Sequence, residues 1–208
     1  MNHPLLLLLM TAAGLYFGKL WRDDRRAART GTPHPQALPG ATDAPQQAVV
    51  LAVAGALGIL ALETAGEKAL GLSAQQSTMT WLFALYSVVG APVIEEIIFR
   101  GWIVIDAEGR RQTAPLPAWA GAIGASVLFA ALHPFLWQWD DAGLALTLTP
   151  KGWFSTAAVF ATSLWLYAAR LGAWNPKRSL LPCFAAHAAK NLGVVAVKAA
   201  TGFVSGAW

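Results

Sequence analysis

Residues 93–100, VIEEIIFR, decide the fold, because Glu95, Glu96 and Arg100 stand inside an otherwise apolar run. The run extends over about 27 residues, from 79 to 105, or roughly 40 Å of helix. That length exceeds the roughly 30 Å hydrocarbon core of a bilayer, and Gly90 and Pro92 predict a kink within it. A charged side chain at mid-bilayer costs about 2.5–3.5 kcal/mol, so its default interpretation is functional.

The composition indicates an integral membrane protein. Of the 208 residues, 56% are hydrophobic and only 12% are charged, whereas a soluble domain carries about 25% charged residues. The same numbers exclude a disordered chain, a collagen-like fibre and a disulfide scaffold. The net charge of +4 does not predict a nucleic-acid partner, because the basic residues lie in short clusters between apolar runs.

Hydropathy predicts an all-α fold, a polytopic membrane bundle of about six transmembrane helices around a central polar catalytic cavity. Residues 1–46 are predicted to form an N-terminal anchor helix and a cytoplasmic loop with four prolines, and residues 47–208 the core. A cleaved signal peptide is the less favoured alternative for the first span, because positive charge follows this span instead of preceding it. The predicted spans are residues 5–20, 48–62, 79–105, 119–136, 153–169 and 180–200.

The basic residues predict the orientation in the plasma or inner membrane. With both termini outside, ten Lys and Arg residues lie on the cytoplasmic side and three on the outer side, as the positive-inside rule requires. Tryptophans lie at the predicted span ends, as in an interfacial belt: Trp21, Trp119, Trp137, Trp139, Trp153 and Trp174.

Polar residues within the spans recur at helical spacing. Glu96 and Arg100 are separated by four residues, within ion-pair reach on one helical face, and Glu95 is rotated by about 100° toward another partner. His133 and His187 lie on two further spans. One such residue alone would be interpreted as a polar contact between helices, but three pairs on three spans indicate a shared cavity.

These residue types suit hydrolysis by an activated water. Burial raises the pKa of a carboxylate and makes it a competent base, so Glu95 and His133 are predicted to hold and deprotonate water. His187 and Asn191 are predicted to donate hydrogen bonds to the oxyanion, and the Glu96–Arg100 pair to fix the helix. Cys183 is the alternative nucleophile, although a cysteine in such a helix usually packs as a small apolar residue.

Three motifs carry a family resemblance. EExxxR at residues 95–100, FxxxH at 129–133 and HxxxN at 187–191 are complete and in order on separate spans. Over residues 78–200 the chain resembles the CPBP family of intramembrane proteases, which contains the type II CAAX prenyl endopeptidases and the bacteriocin-processing or immunity Abi proteins.

The resemblance implies roles close to those argued above. Glu95 and His133 would activate water, and His187 and Asn191 would stabilise the oxyanion, with Glu96 and Arg100 completing the first motif. Phe129 of the second motif is expected to contact the substrate. That substrate would be a membrane-associated protein or peptide: a CAAX-like protein, a leader peptide or a C-terminal sorting tail.

A metal remains open at this stage. Glu95, His133 and His187 could bind Zn²⁺, but the HExxH motif is absent, and a glutamic-type mechanism without a cofactor is favoured. Two other functions are weighed: a non-catalytic immunity or scaffold protein that retains the cavity, and an ion-coupled transporter, which would usually show two matching halves. The polar-aromatic residues 134–152 are predicted to form a connecting loop, with a lid as the alternative.

Overall fold

The structure is a bundle of helices with one small β-hairpin. This computed structural model describes residues 3–103, 118–140 and 143–207. The helices are α1 (Pro4–Arg29), α2 (Gln46–Ala69), α3 (Trp81–Val89), α4 (Ala91–Glu96), α5 (Ala118–Leu132), α6 (Pro150–Leu171) and α7 (Leu181–Ala200). A 3-10 turn (Ser73–Gln75) follows α2, a π-helical segment (Ile97–Ile103) continues α4, and strands β1 (Trp137–Asp140) and β2 (Gly143–Leu146) pair antiparallel.

The helical membrane class predicted from composition is confirmed. Within the described residues, three helical stretches are long and apolar enough to cross a bilayer: Pro4–Arg29, Gln46–Ala69 and Trp81–Ile103. A shorter apolar helix covers Trp119–Leu132. Large apolar side chains on these helices are exposed, Leu62 at 75% for example, as expected for surfaces that face lipid rather than water.

The β-hairpin corrects the predicted end of the fourth span. The fourth span was expected to continue to residue 136, but α5 ends at Leu132. Pro134 has no amide N–H with which to continue a helix. From Trp137 the large apolar side chains alternate with smaller or polar ones, and a period of two residues belongs to a strand. Gly143 begins β2 with a φ of +113°, a conformation that favours glycine.

The expected interruption of the third span is confirmed at Gly90. Helix α3 ends at Val89 and α4 starts at Ala91, because Pro92 cannot donate the next helical hydrogen bond. Gly14 allows α1 to approach this break closely, since a Cβ on Gly14 would lie 2.5 Å from Gly90 Cα. The π-helical segment that follows was not predicted.

Small residues set the packing of α2 on α7, the most extensive helix pair among the described elements. Ala48, Ala52 and Ala56 recur every four residues and are fully buried. Small side chains let helix backbones come close in a membrane. This seam fixes α7, which carries two of the predicted site residues.

The loop after α1 is bound to the bundle. Asp43 accepts hydrogen bonds from Arg25 and Arg29, and the Arg25 contact lowers the pKa of the Asp43 carboxyl. Trp21 was predicted to lie at the interface; instead it is 4% exposed and donates to Pro39 O. The boundary at residue 46 coincides with the start of α2, and the division into an anchor and a core stays a prediction.

Candidate active site

Glu96 is the centre of a buried polar cluster. Its Oε1 accepts hydrogen bonds from Arg100 Nη1 at 3.1 Å and from His187 Nδ1 at 2.7 Å. The Glu96 and Arg100 side chains are fully buried. Glu96 ends α4, Arg100 lies in the π-helical segment and His187 lies on α7, so the sequence-predicted ion pair meets the third motif at one carboxylate oxygen.

Arg100 is held by side chains of α5 and α6, and most of them lie outside the motifs. Its Nη2 donates to Ser163 Oγ at 2.6 Å, and Ser163 Oγ donates to Ser126 Oγ at 2.9 Å. The guanidinium carbon lies 4.5 Å from the centroid of Phe129 and 4.9 Å from that of Tyr167, within the range of cation–π attraction. Sequence analysis missed both serines, although hydroxyls in apolar helices are a signal for such contacts.

Helix α6 also holds the backbone of the π-helical segment. The Tyr167 hydroxyl donates to Phe99 O at 2.7 Å. Tyr167 and Ser163 are four residues apart and therefore share one face of α6. This face of α6 contacts both the Arg100 side chain and the Phe99 main chain of the π-helical segment. These contacts keep the Arg100 guanidinium directed at Glu96.

Glu95 faces the same residue as Glu96, His187, but at the other ring nitrogen, so the expectation of a different partner residue for Glu95 is wrong. Its Oε2 lies 3.8 Å from His187 Nε2, and its side chain is 25% exposed. This oxygen is itself buried and has no hydrogen-bond partner among the described residues. An unsatisfied buried carboxylate oxygen is costly, so it is suited to receive a water or a substrate group.

His133 has a defined tautomer when neutral. Its Nδ1 lies 2.8 Å from Phe129 O, and a carbonyl can only accept, so Nδ1 carries the proton. Nε2 then keeps its lone pair. The Phe129 ring lies between His133, at 4.7 Å, and His187, at 6.3 Å, and His187 contacts the first motif, so the structure brings the three motifs together.

The remaining motif residues line this cluster. Phe129 is 3% exposed, with its ring 4.7 Å from His133 and 6.3 Å from His187; its substrate contact stays a prediction. Asn191 Nδ2 donates to Ser87 O on α3 at 2.7 Å. An amide nitrogen has two hydrogens, so this bond leaves one donor for the predicted oxyanion role.

The structure shows no set of zinc ligands among the described residues. Among the described residues no group of three His, Cys, Asp or Glu side chains is arranged to hold a metal ion. We therefore derive no step through a metal, and the absence of a cofactor stays a prediction.

Two residues near the third motif have packing or ionic partners. Cys183 is fully buried and its Sγ lies 3.3 Å from Leu166 O, which fits a packing role better than that of a nucleophile. Lys190 donates to Glu63 Oε2 on α2 at 2.8 Å. Both partners of this pair are largely buried, and the pair links α7 to α2 beside His187.

The fold and the cluster together place buried titratable groups from α4, the π-helical segment, α5 and α7 inside a helical membrane bundle. The chain matches the type II CAAX prenyl endopeptidase Rce1-like family over residues 77–193, more than half its length, and belongs to that family. The match includes all three motifs and confirms the CAAX-protease resemblance. No curated protein and no solved structure matches the chain.

Proposed function

We propose that this protein is an intramembrane endopeptidase that hydrolyses a peptide bond with water activated by Glu95 and His133. The observation that carries the proposal is the position of Glu95 Oε2. This buried oxygen is unpartnered among the described residues and lies 3.8 Å from His187 Nε2, and His187 and His133 both lie beside the Phe129 ring. A general base needs such a free acceptor within reach of the attacking water.

His187 is assigned the role of a hydrogen-bond donor to the substrate. Its Nδ1 donates to Glu96 Oε1 at 2.7 Å, which leaves Nε2 as the ring nitrogen on the side of Glu95. Because Nδ1 already carries one proton, a donor role for Nε2 requires the imidazolium form of the ring.

The reaction then proceeds without a covalent intermediate. Water gives a proton to Glu95 or to His133 Nε2, and the hydroxide attacks the carbonyl carbon of the peptide bond. His187 Nε2–H and the free Asn191 N–H donate to the oxyanion, an interaction that strengthens as charge develops. The tetrahedral intermediate collapses, the C–N bond breaks, and the proton held by the base passes to the leaving amine.

The topology and the substrate are part of the same proposal. Helices α6 and α7 contain 22 and 20 residues, long enough to cross a bilayer, and with α5 they would complete six spans with both termini outside. Their polar residues face one another in the cluster, which lowers their mean hydropathy. The substrate class is a membrane-associated protein or peptide: CAAX-like, leader or C-terminal sorting tail.

The test is cleavage in proteoliposomes. Purified protein would be incubated with one membrane-anchored probe of each class: a prenylated CAAX peptide, a leader peptide and a protein with a hydrophobic C-terminal tail. Mass spectrometry of the products is expected to show one new peptide terminus in at least one probe, absent with the Glu95→Gln variant. Cleavage of none of them by folded wild-type protein would contradict the proposal.

A further inference from the structure

The β-hairpin has one wholly apolar face. In the pairing register Trp137 lies opposite Leu146, and Trp139 lies opposite Leu144. Directly opposed residues share a face, and so do residues two apart on one strand, so these four side chains lie together. Gln138, opposite Ala145, lies on the other face.

This apolar face is not covered by the described part of the bundle. Trp139 is 75% exposed, Leu144 60% and Leu146 71%. Neither strand packs extensively against any described helix. A two-stranded hairpin is at best marginally stable in water, and an exposed apolar patch of this kind marks an interaction site.

We propose that this face inserts into the interfacial region of the bilayer, at the end of the bundle where α5 ends and α6 begins. The two helix ends that the hairpin joins also expose large apolar side chains: Leu132, the last residue of α5, and Trp153, in the first turn of α6, are each 56% exposed. Residues 133–136 and 147–149 are the only connections between the hairpin and these helix ends. Tryptophan is favoured at this depth because its ring is apolar and its N–H is polar.

Lipid contact at the hairpin has a consequence for His133. Phe135 stacks on the His133 ring, with centroids 6.0 Å apart and planes at 18°. Trp137 Nε1 donates to Ala131 O at 2.8 Å and so closes the end of α5. Seating the hairpin in lipid therefore holds the segment that carries His133. This consequence rests on the proposed function, whereas the depth of the hairpin can be measured without it.

The experiment measures the depth of each face. The variants Leu144→Cys and Leu146→Cys, each with one added cysteine, would carry the environment-sensitive fluorophore NBD, with Gln138→Cys and Ala145→Cys as controls on the opposite face. The protein would be reconstituted in phosphatidylcholine vesicles, with and without phosphatidylcholine spin-labelled near the headgroup. Wild-type protein gives the background, because its Cys183 is fully buried.

We expect a blue-shifted emission at Leu144 and Leu146, with several-fold stronger quenching by the spin-labelled lipid than at Gln138. Equal, water-like emission on both faces would overturn the proposal. A blue shift without lipid quenching would overturn it too, because it would mean that protein covers the face. Each variant is first checked for its thermal unfolding midpoint, so that misfolded samples are not scored. If the folded protein cleaves no substrate, the proposed function fails, but the measured depth of the hairpin still tests the present proposal.

Discussion

His187 connects the two adjacent glutamates, with Nδ1 2.7 Å from Glu96 Oε1 and Nε2 3.8 Å from Glu95 Oε2. The first contact is a hydrogen bond to a fully buried carboxylate, and it fixes the ring. The second is too long for a hydrogen bond. This distance leaves Glu95 free to act as a base. Distances between catalytic groups are often long in structures without substrate.

Glu96→Gln is expected to destabilise the protein. The amide keeps the shape of the side chain but removes the charge that compensates Arg100 and His187, and breaking a buried ion pair costs about 3–5 kcal/mol. Thermal or denaturant unfolding in detergent measures the change. The control is Asp43→Asn, which removes a more exposed carboxylate and should cost about 1 kcal/mol or less. Equal effects of the two variants would contradict the central place of Glu96.

Ser163→Ala tests whether α6 positions the cluster. The hydroxyl accepts from Arg100 Nη2, and a hydrogen bond to a charged group contributes about 1.5–3 kcal/mol. Because Arg100 acts through Glu96 on His187, kcat should fall and its pH profile should shift, with KM little changed. Ser155→Ala is the matched control, since Ser155 is also buried on α6. A Ser163→Ala variant with the wild-type pH profile would argue for a structural role alone.

The Glu63–Lys190 pair predicts strong coupling between α2 and α7. Glu63→Gln or Lys190→Met alone leaves an uncompensated buried charge, and each is expected to cost about 3–5 kcal/mol. The double variant should lose much less than the sum of the two. A double-mutant cycle on unfolding free energies gives the coupling directly, and simple additivity of the two losses would show that the side chains do not interact.

Chelation tests the metal-free mechanism. Activity after exhaustive treatment with EDTA or phenanthroline is expected to equal that of untreated protein, because the reaction is proposed to use Glu95 and His133 alone. The control is a zinc protease treated in parallel. Loss of activity that returns on adding Zn²⁺ would contradict the glutamic-type mechanism.

Much of the site follows from spacing alone. Four-residue intervals determine which side chains share a helical face, so the Glu96–Arg100 contact could be predicted without a structure, and Pro92 indicated the break at Gly90. Contacts between helices could not be predicted in this way. Ser163, Tyr167 and Glu63 contact the cluster or its neighbours only because α6 and α2 pack beside it, and no local pattern encodes that packing.

The β-hairpin and the π-helical segment were missed for other reasons. Residues 134–146 are apolar and aromatic enough to resemble the end of a span, and the two-residue period is short. A π-helical segment depends on tertiary contacts, such as the Tyr167 bond to Phe99 O. Helices α6 and α7, in contrast, coincide with the predicted spans 153–169 and 180–200, although the buried polar residues of the site lower their mean hydropathy.

The most direct test of the account is the kcat of Glu95→Gln and His133→Ala in proteoliposomes, on the probe that wild-type protein cleaves. The control is His34→Ala, in the exposed loop after α1. Loss of a general base should reduce kcat by about 10²–10⁴-fold, with the unfolding midpoint unchanged and the control at the wild-type rate. Wild-type kcat in both folded variants would contradict water activation by Glu95 and His133.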